Sequence, residues 1–209
     1  MITNGNLRFN RAIYGTNSGF RVEAGDLPEF ALYMPGMGGN FKFGLVAKDT
    51  SRWLIDADQI IARYRPGSMI YEIKDRLLGK GILHLSVLAA DNAEGMIIRI
   101  WPENIKPGIR LIWAFGGANG KRFSREGDIG ADPESGFYLK PEYCIDNEFE
   151  ISEQSFSLSY KSVRTGQTHQ LTGSVPAGGE LKICDANAQD SPAVLYASSE
   201  SETPVIAGI

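Results

Sequence analysis

The chain has 209 residues, 43% hydrophobic and 22% charged, with a formal net charge of −4 and a pI near 5.3. That length suffices for one large all-β domain with a real core, and the basic residues are scattered rather than striped, which excludes the electrostatic footprint of a nucleic-acid binder. The longest apolar runs, 111–115 and 82–90 (the latter interrupted by His84 and Ser86), fall far short of the roughly 20 residues of a membrane-spanning helix, so no membrane insertion is expected.

At the start of the chain Thr3, Asn4, Gly5 and Asn6 stand where the apolar stretch of a signal peptide would have to be. The sequence therefore predicts either a cytoplasmic protein or a chain whose leader has been removed. Strands are expected at 7–11, 20–23, 30–33 and 41–47, with the glycine cluster 35–40 read as a tight loop between the last two. Gln59–Arg65 and Ser68–Lys74 flank Pro66-Gly67, a turn dipeptide, and read as a hairpin. In the next hairpin Leu83, Leu85 and Val87 share one face and His84 and Ser86 the other. After the polar turn 90–95, Met96, Ile98 and Ile100 oppose Ile97, Arg99 and Trp101.

Further strands are expected at 110–115, 156–160, 170–174, 180–184, 193–197 and 203–209, with a soft polar loop at 187–191. Many short strands, 24 glycines and no long amphipathic helix predict an all-β antiparallel β-sandwich with long loops, one domain over 1–209. The last strand ends without a tail, so the chain is expected to be an excised piece of a longer polypeptide.

Few residue patterns point to chemistry. The segment 116–135 is too polar for a regular strand, and its Lys121, Arg122 and Arg125 stand close to Glu126, Asp128, Asp132 and Glu134, as in an ordered loop tied by ion pairs. Arg122, Arg125, Asp128, Asp132 and Glu134 are the candidates for contact with a ligand or another domain. Asp128, Asp132 and Glu134 offer hard oxygen ligands, but their spacing departs from a calcium-binding EF-hand loop, so no cofactor is expected and calcium is the weak alternative. Trp53, Trp101 and Trp113 are candidates for stacking on sugar rings, against the plainer reading as core residues. His84 and His169 are the only histidines, and Cys144 and Cys184 the only cysteines, read as two buried thiols before a disulfide. No GxSxG, GxGxxG or P-loop motif occurs, and 25 acidic residues cannot by spacing nominate a catalytic pair.

Three blocks carry a resemblance: Asn10-Arg11-Ala12-Ile13-Tyr14-Gly15-Thr16-Asn17, Phe20-Arg21-Val22-Glu23-Ala24-Gly25-Asp26-Leu27-Pro28-Glu29-Phe30, and Asp128-Ile129-Gly130-Ala131-Asp132-Pro133-Glu134-Ser135. With them the whole chain resembles an uncharacterised N-terminal domain of unknown function, found in large secreted proteins of carbohydrate-degrading gut bacteria. There it precedes a region similar to (α/α)6-barrel glycoside hydrolases. The resemblance implies a supersandwich like that of galactose mutarotase, export to the periplasm or beyond, and a noncatalytic accessory role. The expected partners are a C-terminal catalytic domain of the same chain and possibly polysaccharide. A stand-alone carbohydrate-binding module is the first alternative. A small mutarotase-like isomerase, in which His84 and His169 would have to share a pocket, is the second.

Overall fold

The computed structural model describes residues 1–34, 37–117, 137–162 and 165–209. In chain order the strands are β1 (Ile2–Thr3), β2 (Arg11–Ile13), β3 (Arg21–Ala24), β4 (Glu29–Met34), β5 (Met37–Val46), β6 (Ser51–Trp53), β7 (Gln59–Arg65) and β8 (Ser68–Lys74). There follow β9 (Ile82–Ala89), β10 (Met96–Glu103), β11 (Arg110–Gly116), β12 (Glu148–Ile151), β13 (Ser155–Lys161), β14 (Thr168–Ser174), β15 (Leu181–Asp185) and β16 (Pro204–Gly208). One short helix, α1 (Pro192–Ala197), joins the last two.

All strand pairs are antiparallel, in three sheets. One runs β1-β7-β8-β9-β10, a second β15-β16-β11-β5-β4-β3-β2 with β6 added beside β5, and a third β12-β13-β14. Both hairpins of the first sheet form in the register their turns dictate. Arg65 pairs with Ser68 around Gly67, whose φ of +78° only glycine adopts without strain. Ala89 pairs with Met96, and the Ala90 amide closes the turn on the Gly95 carbonyl at 2.9 Å.

Alternation then decides burial. Leu83, Leu85 and Val87 are buried, and Ile60, Ala62, Met69, Tyr71 and Ile73 join them from the neighbouring strands. The large sheet answers with Val22, Phe30, Phe43, Leu45, Phe115 and Ile206, and one apolar cluster runs through all three sheets. Phe30 meets Tyr71 at 5.7 Å and Phe115 meets Phe156 of the third sheet at 6.0 Å, so the large sheet packs against both smaller ones as a sandwich-like fold. Each such side chain contributes roughly 1.5–3 kcal/mol through removal from water.

The large sheet is also covered on its second face. The Arg8-Phe9 segment and Phe137 lie over Ala31 and Tyr33, while Leu139, Cys144, Ala186 and Leu195 lie over Ala114, Val205 and Ala207. This second cover explains several departures from expectation. Residues 193–197 belong to α1 rather than a strand, because Ser191 caps the helix by accepting the Val194 amide and Pro192 occupies its first turn. The segment 187–191 is tied down: Gln189 donates to the Leu139 and Ala186 carbonyls, and its own carbonyl takes the Trp53 indole.

Gly38, Gly39 and Asn40, read as loop, are strand residues of β5 opposite Tyr33, Leu32 and Ala31. The first large-sheet edge is β2, at 11–13 rather than 7–11, because Leu7 instead bonds the Asp26 corner: its carbonyl accepts the Asp26 amide at 2.7 Å. Strands β6 and β12 were not expected at all. Cys144 and Cys184 are buried free thiols in the second-face cluster, and burial pushes the Cys144 thiol up to about 12.

Candidate functional site

Five of the predicted contact residues, Arg122, Arg125, Asp128, Asp132 and Glu134, lie outside the described residues, and with them the calcium reading. Among the described residues no group of three or more His, Cys, Asp or Glu is placed to hold a metal ion.

The three tryptophans separate cleanly. Trp53 is buried on the second face of the large sheet, with Lys42 over its ring at 4.4 Å, and is structural. Trp113 belongs to the sandwich core, packed on Phe41 and Phe156 and seated over Gly208, where an added Cβ would lie 2.3 Å from the ring. Burial removes Trp53 as a stacking platform, whereas alternation in β11 turns Trp113 toward the sandwich core with part of its ring still accessible. Trp101 stands on the outer face of the five-stranded sheet. His84 is its cross-strand neighbour, whereas His169 lies in the third sheet stacked on Tyr160, so the two histidines do not share a site.

Around Trp101 the register assembles a constellation. One row across the sheet reads Ile61, Glu72, His84, Trp101, and the next Arg63, Ile70, Ser86, Arg99. The His84 ring is stacked on the indole at 5.2 Å with planes 8° apart, and its Nε2 lies 2.8 Å from a Glu103 oxygen. The Arg99 guanidinium sits 5.0 Å from the indole centroid. Glu72 is paired with Arg63, whose hydrogen bond holds its carboxyl below the usual range. Beside this cluster Ile97, 54% exposed, pairs with the half-buried Leu88. Such a surface, aromatic and fringed with charge, can recognise a partner.

Sequence reasoning missed a second constellation. On the covered face of the large sheet Glu23, Ala31 and Asn40 form one row, and Glu29 and Lys42 the next. Arg8 reaches Glu29 with its Nε at 2.7 Å and lays its guanidinium 3.9 Å over the Tyr138 ring. Asn40 Nδ2 bridges a Glu29 oxygen at 3.1 Å and the Phe137 carbonyl at 2.7 Å. Burial lowers the Lys42 pKa against the pull of Glu29. The readable signal was polar or charged residues at alternate positions between aromatics, Arg21-x-Glu23 and Asn40-x-Lys42, which does not say whether the polar face is wet or covered. These groups tie the N-terminal segment and 137–140 to the sheet; they are committed to one another rather than presented to a ligand.

Glu23 is fully buried, bonded to Arg21 through one oxygen, and its Oε2 has no hydrogen-bond partner. Desolvation pushes its pKa above the usual 4.5, with Arg21 opposing. The folded state therefore holds this proton more tightly than the unfolded chain. The contribution is full below about pH 4.5 and declines as pH rises toward the folded value. Glu23→Gln should remove that decline in thermal melts between acid and neutral pH. An unchanged slope would show that Glu23 is ionised throughout.

No curated protein and no solved structure matches the chain. The family described as Domain of unknown function (DUF4450) matches residues 34–209, from the end of β4 through the five-stranded sheet and the Trp101 face to the last strand. By that match, over most of its length, the chain belongs to the DUF4450 family.

Proposed function

We propose that this domain is a noncatalytic N-terminal accessory domain of a larger glycoside hydrolase, exported to the periplasm or beyond. In this reading it packs against an (α/α)6-barrel catalytic domain, and the large sheet set against two smaller ones serves as its supersandwich. The observation that carries the reading is an asymmetry of cover. The large sheet has both faces buried by its own chain, while on the outer face of the five-stranded sheet Ile97 is exposed and Trp101 only partly buried. Apolar side chains left together on one sheet face mark a surface that meets something else. The occupant proposed is the catalytic domain.

A second reading, a carbohydrate-binding module, is favoured by Trp101 itself, a partly exposed indole on the outer face of a sheet. The isomerase reading is not carried further, since the two histidines lie on different sheets.

The test is made on the native polypeptide from its source cells. Its mass should greatly exceed 22.9 kDa, and Ile97→Glu with Trp101→Ala should loosen the catalytic domain while leaving the melting temperature of the isolated 209-residue domain unchanged. A native mass equal to that of this chain, or a double variant without effect on the larger polypeptide, contradicts the reading.

A further inference from the structure

Away from the Trp101 face, a pocket of about 550 Å³ opens where the chain enters the three-stranded sheet. Asp146, Glu148, Ser159, Tyr160, Lys161 and Thr168 line it. The volume lies within the range of small-molecule sites. Its chemistry is specific in kind. Two carboxylates accept hydrogen bonds, one ammonium donates them, and the hydroxyls of Ser159, Ser162 and Thr168 do either, beside the Tyr160 ring. Lys161 offsets one of the two carboxylates, so the lining disfavours an anion and offers a cation only one unbalanced charge, while an apolar ligand would leave these groups desolvated and unpaired. A neutral molecule dense in hydroxyl groups satisfies them.

A second observation marks the same corner. Asn147, between the two lining acids in sequence, is 6% exposed, and neither its Oδ1 nor its Nδ2 has a hydrogen-bond partner. Asp146 before it holds a left-handed φ of +65°. An unsatisfied buried amide and a strained non-glycine residue are both costs, and such costs collect where the chain is shaped for a task other than stability.

We propose that this pocket binds a neutral saccharide unit, either a free sugar or the end of a glycan chain. The proposal deepens the carbohydrate reading above but uses different residues from the docking face, so each can fail alone.

The test titrates the intact protein with glucose, galactose, mannose and xylose, their neutral oligosaccharides, and galacturonate, following amide shifts by NMR. At least one neutral sugar should perturb 145–148, 159–162 and 166–168 at millimolar concentration, and galacturonate should not. Asp146→Asn with Glu148→Gln should weaken that binding about tenfold or more, the worth of losing hydrogen bonds to charged groups, and Trp101→Ala should leave it unchanged. Equal affinity for monosaccharide and oligosaccharide identifies a free sugar; tighter oligosaccharide binding identifies a chain end. Shifts confined to the Trp101 face, or none with any neutral sugar, overturn the proposal while leaving the docking reading to its own test.

Discussion

Replacing Glu29 by alanine is expected to destabilise the protein by about 3–5 kcal/mol, the usual consequence of removing one partner from a buried ion pair. Glu29 is 1% exposed, and both of its oxygens are in use, one by Arg8 and the other by Asn40. Without it the Arg8 guanidinium, largely enclosed over Tyr138, loses its counter-charge. The half-buried Lys42, which Glu29 holds toward its charged form, loses favourable field as well. The penalty therefore comes less from the lost attraction than from the cations left behind. Urea unfolding of the variant beside Glu72→Ala gives the contrast. Glu72 and Arg63 are each about 30% exposed, and that surface pair is expected to be worth under about 1 kcal/mol. Equal small losses at Glu29 and Glu72 would show that the covered face is wet.

Gly25→Ala is expected to be comparably severe, about 3 kcal/mol or more by overpacking. A Cβ at Gly25 would lie 1.8 Å from the Arg8 carbonyl oxygen and 2.5 Å from that of Leu7, both backbone atoms that no rotamer change can move aside. Relief requires the N-terminal segment to lift from the corner. That breaks the Asp26 amide bond to Leu7 and displaces the Gly25 carbonyl from the Tyr71 hydroxyl, now 2.8 Å away in the core. Arg8 and Phe9 would move with it, so proteolysis near the N-terminus should accelerate along with the fall in melting temperature. Gly67→Ala is the milder control: open space surrounds Gly67, and only its positive φ opposes a side chain, a cost of about 1 kcal/mol. A Gly25→Ala variant no less stable than Gly67→Ala would contradict the close approach.

The sandwich was legible because its two hairpins carry both signals a strand pair can carry. Period two in Leu83, Leu85 and Val87 names the core face, and Pro66-Gly67 and 90–95 set the register. Elements of three or four residues, such as β6 and β12, offer too few positions for a period to show. Helix α1 was misread for the same reason. Ala-Val-Leu-Tyr-Ala is short and β-prone, and only the Ser191-Pro192 start marks a helix.

The covered polar ladder escaped notice for a different reason. Alternation tells which residues share a face, not what lies over it, and part of the cover comes from a segment far along the chain, as in the Asn40 bond to Phe137, 97 residues away. Composition could name Trp53, Trp101 and Trp113 only together. Strand register separated them, because each side chain's face follows from its pairing and not from its type.

The account stands on the outer face of β7 to β10 being a working surface that another domain covers. Hydroxyl-radical footprinting measures this at the side chains themselves, since oxidation of Trp101 and Ile97 follows their exposure to water. The account predicts strong oxidation of both in the isolated 209-residue domain and marked protection in the native larger polypeptide. Equal oxidation in the two would contradict it.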